Sequence, residues 1–160
     1  MRLLWCSLAT TTIIASIGTT ISSYDVNARV QKSSTVSGII TTVAGYKEYM
    51  EGSVVDGVAA TSEKISFPWG LSFDKDGNLY ITAHSDSKIF KVTASSGIIT
   101  TAAGTGVAGY GGDGGQATSA MLYGPSGMTV DTTGDIFIAD THFNRIRKVA
   151  ISTGLITTVA

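Results

Sequence analysis

Apolar positions along most of this chain form short runs of four to six residues, separated by turns rich in glycine, aspartate and serine. The runs contain mainly Ile, Val, Phe and Thr, and none is long enough for a typical helix. In "DKDGN" and "DTTGD", a glycine lies where a tight hairpin needs positive φ. The pattern predicts eight strands, at 70–73, 79–83, 88–93, 98–102, 127–130, 136–139, 145–150 and 155–159.

The strands belong to a repeat. "SGIITTVAG" (37–45) recurs as "SGIITTAAG" (96–104) and again as "TGLITTVA" (153–160). The passages after the first two phrases match position by position at a spacing of 57, as from 74 to 131 and from 77 to 134. A spacing held over so many positions indicates tandem structural units.

Each unit needs a neighbour on both sides. Runs such as "LYITA" and "IFIA" place apolar or neutral groups on both faces of a sheet. Four-stranded antiparallel sheets stacked face to face around an axis, the blades of a β-propeller, bury both faces. The sequence therefore predicts an all-β propeller with blades over about 68–104 and 125–160, plus one extra outer strand over 38–45.

The segment 125–149, "PSGMTVDTTGDIFIADTHFNRIRKV", resembles the NHL repeat, and the glycine-rich insert before it resembles the long-blade, teneurin-like repeats. The match rests on Pro125, Gly127, Asp131, Gly134, Asp140, Asn144 and Arg145, and in the first copy on Pro68, Gly70, Asp74 and Gly77. The resemblance implies a propeller over 37–160 but no particular activity. We expect Asp140, Asn144 and Arg145 to shape a tight connection. The first copy has Ala83 and Ser87 there, which predicts a looser turn.

The N-terminal segment differs from the repeats. After Arg2 no charge occurs until Asp25, and the stretch between them begins with an apolar core. This pattern predicts a secretory signal peptide over 1–23, followed by a linker over 24–36. An uncleaved membrane anchor over 3–24 is the alternative, although its Thr and Ser content makes it weakly hydrophobic. We therefore expect a secreted, extracellular protein, or an anchored one.

The composition and net charge limit which classes of partner this chain can bind. Charged residues make up 14% of the chain and the net charge is -1, so "RIRK" (145–148) does not form the basic face that nucleic acid requires. The only cysteine, Cys6, lies in the leader, so a processed chain would have no disulfide. Closed propellers have about 4–8 blades. Two blades leave sheet faces uncovered, which predicts a fragment of a larger propeller or self-association that completes one.

Two motifs suggest ligands and are better explained as turns. "GTGVAG" (104–109) fits the dinucleotide pattern G-x-G-x-x-G, but more glycine and no helical stretch follows it. "DKDGN" (74–78) begins like a calcium loop, yet Ser85 occupies the twelfth position, where an acidic ligand is needed. We interpret the first as a loop and the second as a hairpin turn.

The face of the disc that carries the insert is the predicted ligand face. The connections after the second strands open on it, which brings together Trp69, His84, Asp86, Tyr110, Asp113 and His142. His84 and His142 are metal candidates, but they are offset by one position and two ligands are too few, so we expect exposed loop residues and no cofactor. No serine–histidine–acid set is visible.

These features predict a binding scaffold for a protein or small ligand rather than an enzyme. The alternative is part of a metal-dependent propeller enzyme, a lyase or lactonase-like protein, whose other ligands lie in further blades.

Overall fold

The computed structural model describes residues 41–45 and 54–160, which form two antiparallel sheets. The strands are β1 (Val58–Ala59), β2 (Pro68–Phe73), β3 (Leu79–Ala83), β4 (Lys88–Val92), β5 (Ile98–Ala103), β6 (Pro125–Val130), β7 (Ile136–Asp140), β8 (Arg145–Ala150) and β9 (Leu155–Thr158). Single 3-10 turns lie at Ala60–Ser62, Ala117–Ser119 and Thr141–Phe143. The sheet orders are β1-β5-β4-β3-β2 and β6-β7-β8-β9. The predicted signal peptide (1–23) and linker (24–36) lie outside the described residues.

The predicted all-β fold is confirmed, and the two sheets are two neighbouring blades of a propeller. All eight predicted strands are present, with ends that differ by at most two residues. Every residue of β3 is buried, as expected for a strand with two dry faces. Among residues 41–45 and 54–160, no helix has the length and apolar character needed to cross a membrane.

The outer edge of each blade differs from the prediction, because the segment before each blade pairs with the outer strand. We call these segments, described over 54–67 and 104–124, the first and second inserts. β1 pairs with β5 through Ala59 and Ile98, and Gln116 pairs with Leu155 at the equivalent place in the second blade. The predicted extra strand over 38–45 is not seen in its described part, where residues 41–42 have no regular structure and 43–45 form a bend. An outer strand needs the third strand of its own blade, and the described residues contain none for this segment.

One aspartate in each insert holds the outer strand. The Asp56 Oδ1 atom accepts hydrogen bonds from the Thr101 backbone N–H (2.8 Å) and hydroxyl (2.9 Å). Asp113 accepts the equivalent pair from Thr158, 57 residues along. Burial tends to raise the pKa of Asp113, but these bonds and the Arg147 charge hold it below its ordinary value. The insert and the strand that ends the repeat are therefore joined in both copies.

Two apolar cores flank the first sheet. One face packs against the first insert, through Leu79, Ile81, Ala83, Phe90, Val92 and Ile99. The other face lies against the second blade, through Tyr80, Ile89 and Ala103. The second blade contributes Ile136, Ile138, Val149 and Ile156, with Ala117, Ala120 and Leu122 of its insert. We call this second contact the internal seam.

The innermost strands, β2 and β6, lie side by side at the internal seam. The backbone N–H of Val130 donates to the Ser72 hydroxyl across it, at 3.2 Å. A Cβ atom built on Gly70 would lie 2.7 Å from the Ser126 carbonyl oxygen. The blades approach so closely here that only glycine fits on β2.

The two β-hairpin turns confirm the interpretation of "DKDGN" and "DTTGD". The Asp74 carboxylate accepts from the backbone N–H groups of Asp76 (3.0 Å) and Asn78 (2.9 Å). Asp131 accepts from Thr133 (2.8 Å) and Asp135 (3.0 Å) in the same way. Carboxylates that accept local backbone hydrogen bonds stabilise the turn itself.

These turns predict a loss of stability in acid. Burial tends to raise the pKa of Asp74, but hydrogen bonds from Asn78 and Asp76 hold it below the ordinary value of 3.8. The Thr133 hydroxyl and neighbouring backbone N–H groups lower the pKa of Asp131. Because both are lower in the folded state, the unfolded chain binds protons first as the pH falls. The stabilisation is therefore complete above pH 3.8 and is lost as the pH falls through the folded values.

The predicted loss of stability in acid can be checked by urea unfolding at a series of pH values from neutral downward. We expect a steep fall in the free energy of unfolding below about pH 4, and a shallower fall in Asp131→Asn. A stability that stays constant or rises in this range contradicts the prediction.

Candidate binding surface

Six aromatic rings form a continuous row across the insert face of both blades. The ring centroids lie 4.4 Å apart for Trp69–His84 and 5.5 Å for His84–His142. They lie 4.4 Å apart for Tyr123–His142 and 5.6 Å for Tyr123–Phe143. Tyr110 closes the row at 5.1 Å from Phe143. We call these six residues the aromatic row.

The connection after β7 positions the middle of the row. The Asp140 Oδ1 atom accepts a hydrogen bond from the Tyr123 backbone N–H at 2.7 Å. The backbone N–H of His142 donates to the Tyr123 carbonyl oxygen at 3.2 Å. Asn144 adopts the left-handed conformation (φ 49) that ends this turn. Asp140 and Asn144 therefore both shape this connection, the first through its carboxylate and the second through its backbone.

The first blade has an equally tight connection, so the prediction of a looser turn is wrong. Asp86 replaces the missing carboxylate, because its Oδ2 atom accepts from the Ser66 backbone N–H at 2.9 Å. Ser66 is the repeat equivalent of Tyr123. Ser87 takes the left-handed conformation (φ 50) at the place of Asn144. Ala83 occupies the place of Asp140 and has no side-chain acceptor. The first blade takes its acceptor from Asp86, three residues later, and makes the same turn.

The two imidazoles converge above Gly124. A Cβ atom built there would lie 2.7 Å from Nε2 of His142 and 3.0 Å from Nε2 of His84. The two histidines lie on one face and are in contact with each other, and His84 is half-buried where an exposed loop residue was expected. Within the described ranges, no group of three or more His, Cys, Asp or Glu side chains could hold a metal ion.

A buried charge cluster supports the far end of the row. The Asp140 Oδ2 atom accepts from Arg145 Nε at 2.8 Å and lies 3.7 Å from Arg147 Nη1. The Arg145 guanidinium carbon lies 3.9 Å from the Tyr110 ring centroid, in a cation–π contact. Arg147, which is fully buried, also pairs with Asp113 at 2.7 Å. The cationic groups of "RIRK" therefore have anionic partners, since Lys148 pairs with Asp135 at 2.7 Å.

The predicted ligand-face residues fall into two groups. Trp69 and Tyr110 are 62% and 65% exposed and stand at the two ends of the row. Asp86 and Asp113 instead bind the chain's own backbone or side chains, at Ser66 and at Thr158 with Arg147. The carboxylates shape the surface, and the rings form it.

The sequence interpretation missed Tyr123 and Phe143. Their equivalents in the first copy are Ser66 and Asp86, so the repeat gave no aromatic pattern at either place. Arg147 was missed too, although a signal existed. It is the equivalent of Phe90, which lies in the middle of an apolar strand, and the repeat therefore places Arg147 on a buried face.

The loop interpretation of "GTGVAG" is confirmed. Gly104 and Gly106 have φ of 92 and 89, and the chain continues as loop to a single 3-10 turn. No helix follows the motif in the described ranges, so the helix N-terminus that would hold a dinucleotide phosphate is missing there.

Comparison with known proteins supports the repeat family. Residues 108–160 match the model of the teneurin NHL domain. A curated relative, the chloroplastic protein SUPPRESSOR OF QUENCHING 1 of Arabidopsis thaliana, is 33% identical over 99 residues. That match covers 62% of this chain and 9% of the relative's length. The resemblance to NHL repeats is thus confirmed over the second insert and blade.

One solved structure with a TM-score above 0.5 supports the fold. A Bacteroides thetaiotaomicron protein of unknown function has a TM-score of 0.52 at 27% identity, over 61% of this chain and 24% of its own. Virginiamycin B lyase of Staphylococcus aureus is 20% identical with a TM-score of 0.42, over 63% of this chain and 29% of its own. The chain therefore spans about a quarter of the solved propellers that it matches.

Proposed function

We propose that this chain is a binding module of an extracellular propeller, and that the aromatic row docks an extended segment of a partner protein. The single observation that carries the proposal is the row itself, six rings in contact with each other across two blades. The extracellular location is supported by the predicted leader over 1–23, which also stays a proposal.

The composition of the row suits a protein partner. Trp and Tyr supply large contact areas with few rotatable bonds, and they dominate the residues that contribute most to protein interfaces. Trp69, Tyr110 and Tyr123 are 62%, 65% and 44% exposed, although large aromatic side chains are usually mostly buried. Each has a polar tip, so the row offers apolar faces together with hydrogen-bonding groups.

The rings are held before any partner arrives. Tyr110 rests on the buried Arg145, and Tyr123 is fixed at its backbone by Asp140. A surface that is already ordered loses little side-chain entropy on binding, which favours affinity. The extent of the row, from β2 of one blade to the insert of the next, fits an extended peptide better than a compact small molecule.

Selection of displayed random peptides on the immobilised full chain tests the proposal. We expect selected peptides to bind with a Kd that rises at least about tenfold in Trp69→Ala and in Tyr110→Ala, the loss typical of an aromatic anchor. The chain has only one other tryptophan, Trp5, so in a Trp5→Phe background the fluorescence of Trp69 reports binding directly.

The matched control is Val107→Ala, because Val107 is 63% exposed and is not part of the row. Peptides that bind this variant and the parent equally, but lose affinity in both ring variants, support the proposal. Failure to select peptides, or equal affinity for all variants, overturns it. The enzyme alternative predicts instead an activity that chelation abolishes.

A further inference from the structure

Within residues 41–45 and 54–160, two exposed apolar surfaces are each equivalent to one side of the internal seam. On the first blade, Leu71 and Phe73 of β2 are 64% and 39% exposed. We call this pair the leading surface. On the second blade, Phe137, Ala139 and Ile146 point away from the internal seam, and Ile146 is 37% exposed. We call these three residues the trailing surface.

The repeat identifies what each surface contacts when it is covered. The equivalents of Leu71 and Phe73 are Met128 and Val130, which pack against the core of the internal seam. The equivalents of Phe137, Ala139 and Ile146 are Tyr80, Thr82 and Ile89, which are at most 2% exposed there. The internal seam is thus a trailing surface packed on a leading surface.

The side chains around the trailing surface also correspond to those around its buried equivalent in the first blade. Lys91 lies 5.5 Å above the Tyr80 ring, and Lys148 lies 5.4 Å above the Phe137 ring. The innermost strand of each blade has a glycine at the equivalent place, Gly70 in β2 and Gly127 in β6. Gly70 touches the second blade, whereas a Cβ atom on Gly127 would meet nothing within 4 Å. The trailing surface therefore has the geometry of its buried equivalent, and no described residue lies within 4 Å of a Cβ atom built on Gly127.

We propose that the trailing surface of one molecule docks on the leading surface of a second copy of this chain and so repeats the internal seam. The contact is head-to-tail, since the two sides differ, and such contacts close into rings when the rotation allows. The rotation between blades is that of a propeller, so closure at about 4–8 blades corresponds to about two to four copies. This inference does not depend on the binding role of the aromatic row.

Light scattering of the full chain after size-exclusion chromatography, across the micromolar range, tests the association. We expect the wild type to form a closed oligomer of about two to four copies. Leu71→Asp removes one side of the contact and Ile146→Asp removes the other, so each variant alone should be monomeric. Both change exposed side chains, and circular dichroism confirms that each variant is folded.

Mixing the two variants is the decisive measurement. Leu71→Asp still has an intact trailing surface, and Ile146→Asp still has an intact leading surface. One contact can therefore form, and we expect a 1:1 dimer that goes no further. Wild-type chain that stays monomeric, or a wild-type oligomer that survives either substitution, overturns the proposal. So does a mixture that remains monomeric while the wild type associates.

Gly127→Ala gives an independent test that does not introduce charge. A methyl group there has open space in the single chain, but in the docked copy it would meet the partner's backbone as it would at Gly70. We expect normal folding and at least about a hundredfold weaker association, the size of an overpacking penalty. Val107→Asp, a change at another exposed apolar position, should leave association unchanged.

Discussion

Asp140→Ala is expected to lower the free energy of unfolding by about 3–5 kcal/mol, because it removes the central anion of a buried charge cluster. Asp140 and Arg147 are fully buried, and Arg145 is 6% exposed. The carboxylate accepts from Arg145 Nε at 2.8 Å and from the Tyr123 backbone N–H at 2.7 Å. Its loss leaves a buried guanidinium and the partly buried backbone N–H of Tyr123 without their partner.

Urea unfolding monitored by circular dichroism measures this change. The double variant Asp140→Ala with Arg145→Met is the informative comparison, because it removes both charges and should recover part of the loss. Asp135→Ala breaks the half-exposed pair with Lys148 and should have a much smaller effect. An effect of Asp140→Ala no larger than that of Asp135→Ala would show that the cluster contributes little.

Gly70→Ala is expected to destabilise the chain by about 3 kcal/mol, at the upper end of ordinary overpacking penalties. The new methyl would lie 2.6 Å from the Thr82 hydroxyl oxygen and 2.7 Å from the Ser126 carbonyl oxygen. The Ser126 atom belongs to the backbone of a neighbouring strand, so the two blades must separate to make room.

Gly127→Ala is the matched control, since it makes the same change at the equivalent place in the second blade. Nothing lies within 4 Å of its built Cβ atom, and its effect on single-chain stability should be a few tenths of a kcal/mol. Thermal and urea unfolding of both variants, measured under dilute conditions, separate the two cases. Equal stabilities would mean that the internal seam tolerates a wider spacing than the structure shows.

The fold could be predicted from the sequence because the residue pattern that determines it is periodic. Alternating apolar runs, glycines at the hairpins and a spacing of 57 residues predicted eight of the nine strands, all except β1. The outer edge was not predictable in the same way. The pairing of Gln116 with Leu155 depends on how the insert folds back, and a glycine-rich segment has little pattern of its own.

The binding surface was only partly predictable. Trp69, His84, Tyr110 and His142 could be placed on one face because hairpin connections alternate between the two ends of a blade. Tyr123 and Phe143 could not, since they fill positions where the first copy has Ser66 and Asp86. The position of a residue in the repeat therefore predicted the face on which it lies, whereas the ring-to-ring contacts were seen only in the structure.

Asp140 and Asp86 show why the connection in the first blade was wrongly predicted to be looser. Both carboxylates cap the backbone N–H before the first strand, at Tyr123 and at Ser66, yet they come from different positions in the turn. A comparison by position alone records a missing residue. The physical requirement, one acceptor at one place, is nevertheless met in both blades.

The joining of insert to outer strand has a consequence for synthesis on the ribosome. The second insert binds β9 through Gly114, Gly115 and Ala117, whose backbone groups bond Ile156 and Gly154. It is translated about forty residues earlier than that strand. Ala117, Ala120 and Leu122 therefore emerge before that strand, at a time when the first-blade side of the internal seam (Tyr80, Ile89 and Ala103) has already been synthesised. Co-translational folding of each repeat is thus completed by its last strand.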